Sequence, residues 1–258
     1  MTHLSMKANI MVDYIEKVMR TLKLGGLVKD WRSVDYDGDT ESYVRALLEL
    51  ELREREANRI NRMIKVAGFN VIKTLGGFEW AKSIELPAGL TREYMTGLDF
   101  IRSKENLIFM GSVGTGKTHL ATAISLQACE NGKHVRFFTA ASLANILIER
   151  NNRGTLNNFL GSLKKVELVV IDEVGFIPLH KEAAELIFQV ISDCYERRSL
   201  IITSNLEFSV WNTVFGDNRL TAALIDRLIH HSHIVIFSGE SFRLAQSMMR
   251  QLDTGKVR

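Results

Sequence analysis

Gly111-Ser112-Val113-Gly114-Thr115-Gly116-Lys117-Thr118 matches the pattern G-x-x-x-x-G-K-[ST] at every fixed position, and each part of it has a physical reason. Glycines let the backbone curl until successive N–H groups point inward and form a concave nest for phosphate oxygens. A helix beginning near Gly116 adds the partial positive charge of its N-terminus. Lys117 then reaches the β- and γ-phosphates of a nucleoside triphosphate, and the Thr118 hydroxyl is suited to ligate magnesium. The flanks agree: Asn106–Met110 is short and apolar, as a strand feeding such a loop should be, and the run from His119 to Ile124 opens a helix.

Working outward, Asn106–Met110 is the first of five strand candidates, the others being His134–Thr139, Glu167–Ile171, Leu200–Thr203 and Ile234–Phe237. Enough chain separates each from the next for a crossover helix. Leu186, Ile187, Val190, Ile191 and Cys194 trace one such helix. Alternating strands and helices predict an α/β fold, a parallel sheet with helices on both faces. Residues 1–70 read differently, as an all-helical domain. Ile15, Val18, Met19 and Leu22 form one amphipathic stripe, which Gly25-Gly26 should end. Asp39 or Thr40 should cap a second helix, with Val44, Leu47 and Leu48 on its buried face. From Gly68 to Lys104 the signals are weak, so residues 71–258 are taken as the second domain together with its lead-in.

Two further strand ends bear on chemistry. Leu168-Val169-Val170-Ile171 is a buried parallel strand that delivers Asp172 to a magnesium shell, and Glu173, one position on, can polarise an attacking water. An acid pair there suits hydrolysis better than transfer to a small acceptor. No Asn-Lys-x-Asp motif for reading guanine occurs. Leu200-Ile201-Ile202-Thr203-Ser204-Asn205 ends in an amide. Alone, Asn205 would be a turn residue; third in the order after the loop and the acid pair, it suits orienting water near the γ-phosphate.

Composition sets the remaining bounds. The chain has 258 residues, is 46% hydrophobic and 24% charged, and carries a net charge of +3, which permits an anionic partner without requiring one. Cys129 and Cys194 lie in apolar helical patterns and read as reduced core thiols, hence a cytoplasmic protein. No apolar run approaches membrane-spanning length. Arg55, Arg59 and Arg62 fall on one helix face, a spacing that could track a phosphate backbone, with Glu54 and Glu56 projecting elsewhere; on spacing alone a solvated face with pairs such as Glu51–Arg55 is the better account. Residues 1–70 hold 12 Lys/Arg against 11 Asp/Glu, so this is no basic arm. His230, His231 and His233 lack the spacing of a metal site and belong to the turn into the last strand.

With these motifs in order, the chain resembles the AAA+ ATPases, and more closely the IstB-like branch related to DnaC-type helicase loaders. The resemblance rests on Glu49-Leu50-Glu51-Leu52-Arg53-Glu54-Arg55-Glu56-Ala57-Asn58-Arg59, on Val135–Ala141 and on Leu186–Ser192. It rests most of all on Val214-Phe215-Gly216-Asp217, Leu224–His233 and Gly239-Glu240-Ser241-Phe242-Arg243. It implies an ATP- and magnesium-dependent helper ATPase of DNA transposition. Such a protein oligomerises on duplex DNA with ATP sites between subunits and engages a transposase. It also implies an arginine finger at Arg227 that reaches a neighbour's site, and it favours the DNA reading of the arginine row. Only Glu240 to Arg258 follow the last strand, so no C-terminal lid domain is expected; Arg243 is the candidate substitute for a lid-borne sensor. The alternatives are a DnaC-like loader acting on single-stranded DNA and a replicative helicase, and a nucleotide-gated binding module that hydrolyses slowly.

Overall fold

In the computed structural model, residues 3–242 and 244 are described, and they fall into two compact units, Met1–Arg62 and Met63–Arg258. Arg243 and the chain from 245 lie outside the described residues, and with them the expectations about a sensor there and about a lid.

The first unit is helical: α1 (His3–Thr21), α2 (Gly25–Asp30) and most of α3 (Thr40–Ala67). Asp39 caps α3 by accepting the N–H groups of Glu41 and Ser42, both at 3.2 Å. Gly25-Gly26 does not end the first helix as expected. That helix stops at Thr21, Lys23 takes a positive φ of 58°, and the glycines open α2. The reason is close packing, because a Cβ on Gly26 would lie 3.0 Å from the Glu51 Cα. Glu51, only 4% exposed, turns its carboxylate onto the start of α2. It accepts Gly26 N–H at 2.8 Å, Leu27 N–H at 3.2 Å and Arg55 Nε at 2.7 Å.

Two helical faces differ from expectation. Val44 and Leu48, read as buried, are exposed, Leu48 by 56%, and Leu47 is half-buried. Val18 on α1 is also open. So small a unit has too little chain to cover every apolar stripe.

In the second unit the sheet order is β1-β6-β2-β5-β4-β3, built from β1 (Ile84–Glu85), β2 (Asn106–Gly111), β3 (Val135–Thr139), β4 (Leu168–Val174), β5 (Ser199–Ser204) and β6 (Ser232–Phe237). All neighbours pair in parallel except β1, which runs antiparallel to β6. The five expected strands are these parallel ones; β1, two residues long, was not foreseen. One face of the sheet is covered by α7 (Ala140–Asn152), α8 (Leu156–Leu163), α9 (Lys181–Cys194), α10 (Asn212–Phe215) and α11 (Asn218–His230), with Leu143, Ile187 and Leu224 among the buried contacts. The other face meets α4 (Arg92–Thr96), α5 (Asp99–Ser103) and α6 (Lys117–Glu130) through Phe100, Leu120 and Ile124. Each such buried side chain contributes about 1.5–3 kcal/mol. Met63 and Ala67 belong to this second core, which is why the units divide inside α3 and not at 70/71. Cys129 and Cys194 are free and buried, and burial pushes both thiols up to about 12.

Glu51 gives a direct test of the helical unit. Burial opposes its ionisation, but the bonds from Arg55, Leu27 and Gly26 hold the carboxyl below the usual glutamate range. Its stabilising effect is therefore complete above about pH 4.3 and is lost as pH falls through the lowered value. Glu51→Ala leaves two buried N–H groups without their acceptor and should cost this unit about 1–3 kcal/mol. Hydrogen exchange at Gly26 and Leu27 should accelerate accordingly, and unchanged protection there would refute the assignment.

Candidate active site

The phosphate loop leaves the C-terminal end of β2, and the acid pair and the Ser-Asn pair stand at the same ends of β4 and β5. Parallel strands deliver their C-terminal ends to one edge of the sheet, where ligands of open α/β folds bind. Gly116 precedes α6 with a left-handed conformation and no side-chain cap, so the first-turn N–H groups of α6 face the loop. Lys117, 8% exposed, donates through Nζ to the carbonyls of Gly111 and Ser112, both at 2.6 Å. Thr115 donates its hydroxyl to Ser112 O at 2.8 Å and closes the turn from within.

The acid pair is set by a β-bulge. Pairing between β4 and β5 shifts register between Ile171 and Val174, which frees Asp172 and Glu173 to point differently from the strand around them. Asp172 is buried and receives two hydroxyls on Oδ1, from Thr118 at 2.9 Å and from Thr203 at 2.5 Å. Burial raises its pKa above the ordinary aspartate value, against the opposing pull of those hydroxyls, the Glu173 N–H and the Lys117 charge. Glu173 is exposed and takes a φ of +60°, a left-handed geometry that costs a non-glycine residue about 1–3 kcal/mol. Its N–H donates to Thr203 Oγ1 at 2.9 Å, so one threonine orients both acids. Nothing local in the sequence marks Thr203, because a β-branched residue inside an isoleucine run signals only strand.

A cavity of about 490 Å³ opens at this edge, lined by Gly114, Gly116, Lys117, Thr118 and Asp172. Its other walls come from the lead-in that sequence left undefined, including Asn70, Val71 and Phe78. His119 shares a hydrogen bond with Thr74 O at 3.1 Å, and the Phe78 ring meets both His119 and Trp80 edge-on. The signal for this wall was the cluster of aromatics at 78–80 beside Gly76-Gly77. Ser112, Val113 and Thr115 belong to the loop without lining the cavity. Glu173, Asn205 and Arg227 do not line it either: Asn205 follows β5, half-buried, and Arg227 lies on α11. Arg227 donates to Ser192 Oγ at 2.6 Å and stands 4.7 Å over the Phe188 ring, both on α9.

The basic row and the histidines are also placed. Arg55, Arg59 and Arg62 are exposed on α3. Arg55 pairs with Glu51 at 2.7 Å, Arg59 with Glu56 at 2.7 Å, and Arg62 donates to Asn58 O at 3.2 Å. Glu56 therefore does not project away from the row. Tyr195 bonds His230 at 2.9 Å, and His233 bonds Glu105 at 2.9 Å. His231 and Glu196 are 3.4 Å apart, and the fold gathers Glu196, His230 and His231 within 4.8 Å of one another. Glu105, Tyr195, Glu196 and the three histidines lie at the strand-start edge of the sheet, opposite the phosphate loop, where they fasten the approach to β6.

A parallel β6-β2-β5-β4-β3 sheet with a phosphate loop after β2 and an acid pair ending β4 defines a P-loop ATPase of the AAA+ class. The family model described as IstB-like ATP binding protein matches residues 18–250, and the chain belongs to that family. It is 34% identical to the ATP-binding protein assigned to insertion sequence IS5376 of Geobacillus stearothermophilus, over 93% of this chain and 98% of that one. It is 34% identical to the corresponding protein of IS21 from Pseudomonas aeruginosa, covering 77% of this chain and 75% of that one. Among solved structures, AMPPCP-bound DnaA of Aquifex aeolicus superposes with a TM-score of 0.53 at 25% identity, over 66% of this chain. The chain spans about half of that DnaA, 51%. A DnaC helicase loader superposes with a TM-score of 0.51 at 21% identity, over 64% of this chain and 96% of the loader, a likeness of fold. No helix among the described residues is long and apolar enough to cross a membrane.

Thr203 yields the test of this geometry. Thr203→Val keeps the shape but removes the hydroxyl that bonds Asp172 and Glu173. ATP turnover should fall about 10- to 100-fold, equivalent to about 1.4–2.7 kcal/mol of barrier, with ATP affinity changed much less. Thr203→Ser should retain most activity. Normal turnover in the valine variant would show that Thr203 does not orient the acids.

Proposed function

We propose that this ATPase is a helper of DNA transposition in the cytoplasm, oligomerising on duplex DNA, engaging a transposase, and using hydrolysis to remodel or release that complex. The observation that carries the reading is the convergence of Thr118 and Thr203 on Asp172, in a chain whose relatives are named for insertion sequences.

The loop from Gly111 to Thr118 would hold the triphosphate, with Lys117 exchanging its two carbonyl acceptors for β- and γ-phosphate oxygens. Thr118 Oγ1 and Asp172 Oδ1 are hard oxygen donors 2.9 Å apart, a set that fits magnesium. That ion, when bound, supplies charge neutralisation at the phosphates. Glu173 accepts a proton from water as the water oxygen attacks the γ-phosphorus; the bond to the bridging β-oxygen breaks, leaving ADP and phosphate. Asn205 positions that water. Arg227 is pre-oriented by Ser192 and Phe188 on α9 and would serve a neighbouring subunit, where such an arginine contributes roughly 10³–10⁵ in turnover.

Residues 1–62 would supply DNA binding and oligomerisation, and residues 63–258 the ATPase. Exposed ion pairs such as Arg59–Glu56 hold their arginines by only about 0–1 kcal/mol, so Arg55, Arg59 and Arg62 can turn to a phosphate backbone. The open apolar stripes of α1 and α3 suit contacts between subunits.

Two experiments test this. Glu173→Gln should bind ATP normally while hydrolysis nearly disappears; Arg227→Ala should also be inactive, and mixing the two variants should restore activity if Arg227 acts across subunits. Failure of the mixture to recover would place Arg227 outside a neighbour's site. Separately, sedimentation with a random duplex of about five helical turns should give a large complex only with ATP. Preference for a single strand of equal length, or assembly only with a helicase added, would favour a DnaC-like loader. ATP turnover indifferent to any DNA would instead point to a nucleotide-gated binding module.

A further inference from the structure

The run Gly239-Glu240-Ser241-Phe242 after β6 has no part in the chemistry above, yet its path is fixed at several points. Ser238 donates its N–H to Ser83 O at 2.9 Å and its hydroxyl to the same oxygen at 2.8 Å, which continues the β1–β6 pairing past Phe237. Phe242 N–H then donates to the Gly114 carbonyl at 3.0 Å, fastening the run to the phosphate loop. Gly114 has a φ of +83°, and a Cβ there would collide with the Ser241 side chain. Loop and run thus approach more closely than any other residue at 114 would permit. Ser241 accepts Leu244 N–H at 3.3 Å through its hydroxyl.

Held this way, Phe242 lines the same cavity as Lys117 and Thr118 while remaining 37% exposed. A triphosphate anchored at Lys117 must lay its base against the walls that are not phosphate loop. Those walls include Val71, Phe78 and Phe242, apolar surfaces suited to a flat heterocycle.

We propose that Phe242 is a base-contacting residue that lays its ring against the adenine of ATP. Because its own N–H is tied to the Gly114 carbonyl, base and phosphates are gripped by two segments joined by a hydrogen bond. The assignment rests on ATP binding at the Gly111–Thr118 loop and adds the residue that distinguishes a nucleotide from a bare triphosphate. Aromatic faces hold bases with little regard to hydrogen-bond pattern, so Phe242 adds affinity for the ring itself.

The test compares ATP with inorganic tripolyphosphate, which has the phosphates and no base, by calorimetry on the full chain. Phe242→Ala should weaken ATP about 10- to 100-fold and leave tripolyphosphate unchanged. Phe242→Trp should restore ATP binding. In turnover assays the alanine variant should lose in KM with kcat held within about twofold. ATP affinity equal to wild type, an equal loss for tripolyphosphate, or no rescue by tryptophan would each overturn the proposal. Lys117→Ala should lose both ligands; tripolyphosphate binding that survived it would lie outside the loop and remove the anchor that brings the base to Phe242.

Discussion

Two hydroxyls converging on one carboxylate oxygen organise this molecule. Asp172 Oδ1 receives Thr118 from the start of α6 and Thr203 from β5, so three segments far apart in sequence meet at one atom. A buried carboxylate is tolerated only when hydrogen bonds and charge replace its water, and here the Thr118 and Thr203 hydroxyls and the Lys117 charge supply that replacement. The bond lengths require β4, β5 and the loop after β2 to end level with one another. The pairing of Met110 and Val174 with Ser204 provides that alignment. The apolar sheet beneath, buried on both faces, gives it rigidity.

The bulge at Asp172-Glu173 then resolves a conflict. A regular strand would send consecutive residues to opposite faces of the sheet, whereas here a buried acid, Asp172, stands directly beside an exposed one, Glu173. The shift in register and the left-handed backbone of Glu173 achieve both. The N–H that the bulge removes from the ladder is taken up by Thr203. Local strain is thus held in place by a hydrogen bond to the group it serves.

Much of this was legible because fully buried parallel strands have a plain signature: short apolar runs whose polar ends mark the functional edge. The loop, the acid pair and all five parallel strands were read that way. Other features hid for specific reasons. Thr203 looks like strand propensity until its hydroxyl is placed. Ile84–Glu85 is too short to show alternation. Gly25-Gly26 looked like a stop because glycine usually ends helices, but the chain needed a residue without a side chain where α2 meets Glu51. Val44 and Leu48 have the spacing of a core face, and spacing cannot reveal whether the covering surface lies in the same chain. Phe78 and Phe242 flank the loop in space and lie on opposite sides of it in sequence, so no local pattern joins them.

The two-residue β1 has one more consequence. A parallel sheet whose last strand is bare offers a row of unpaired N–H and C=O groups to any extended peptide. Ile84 and Glu85 cover the last two positions of that row, Phe237 and Ile236, and Ser83 carries the pairing onto Ser238. Strand addition is therefore obstructed at the C-terminal end of β6, the end beside the phosphate loop, while residues 232–235 have no partner on β1.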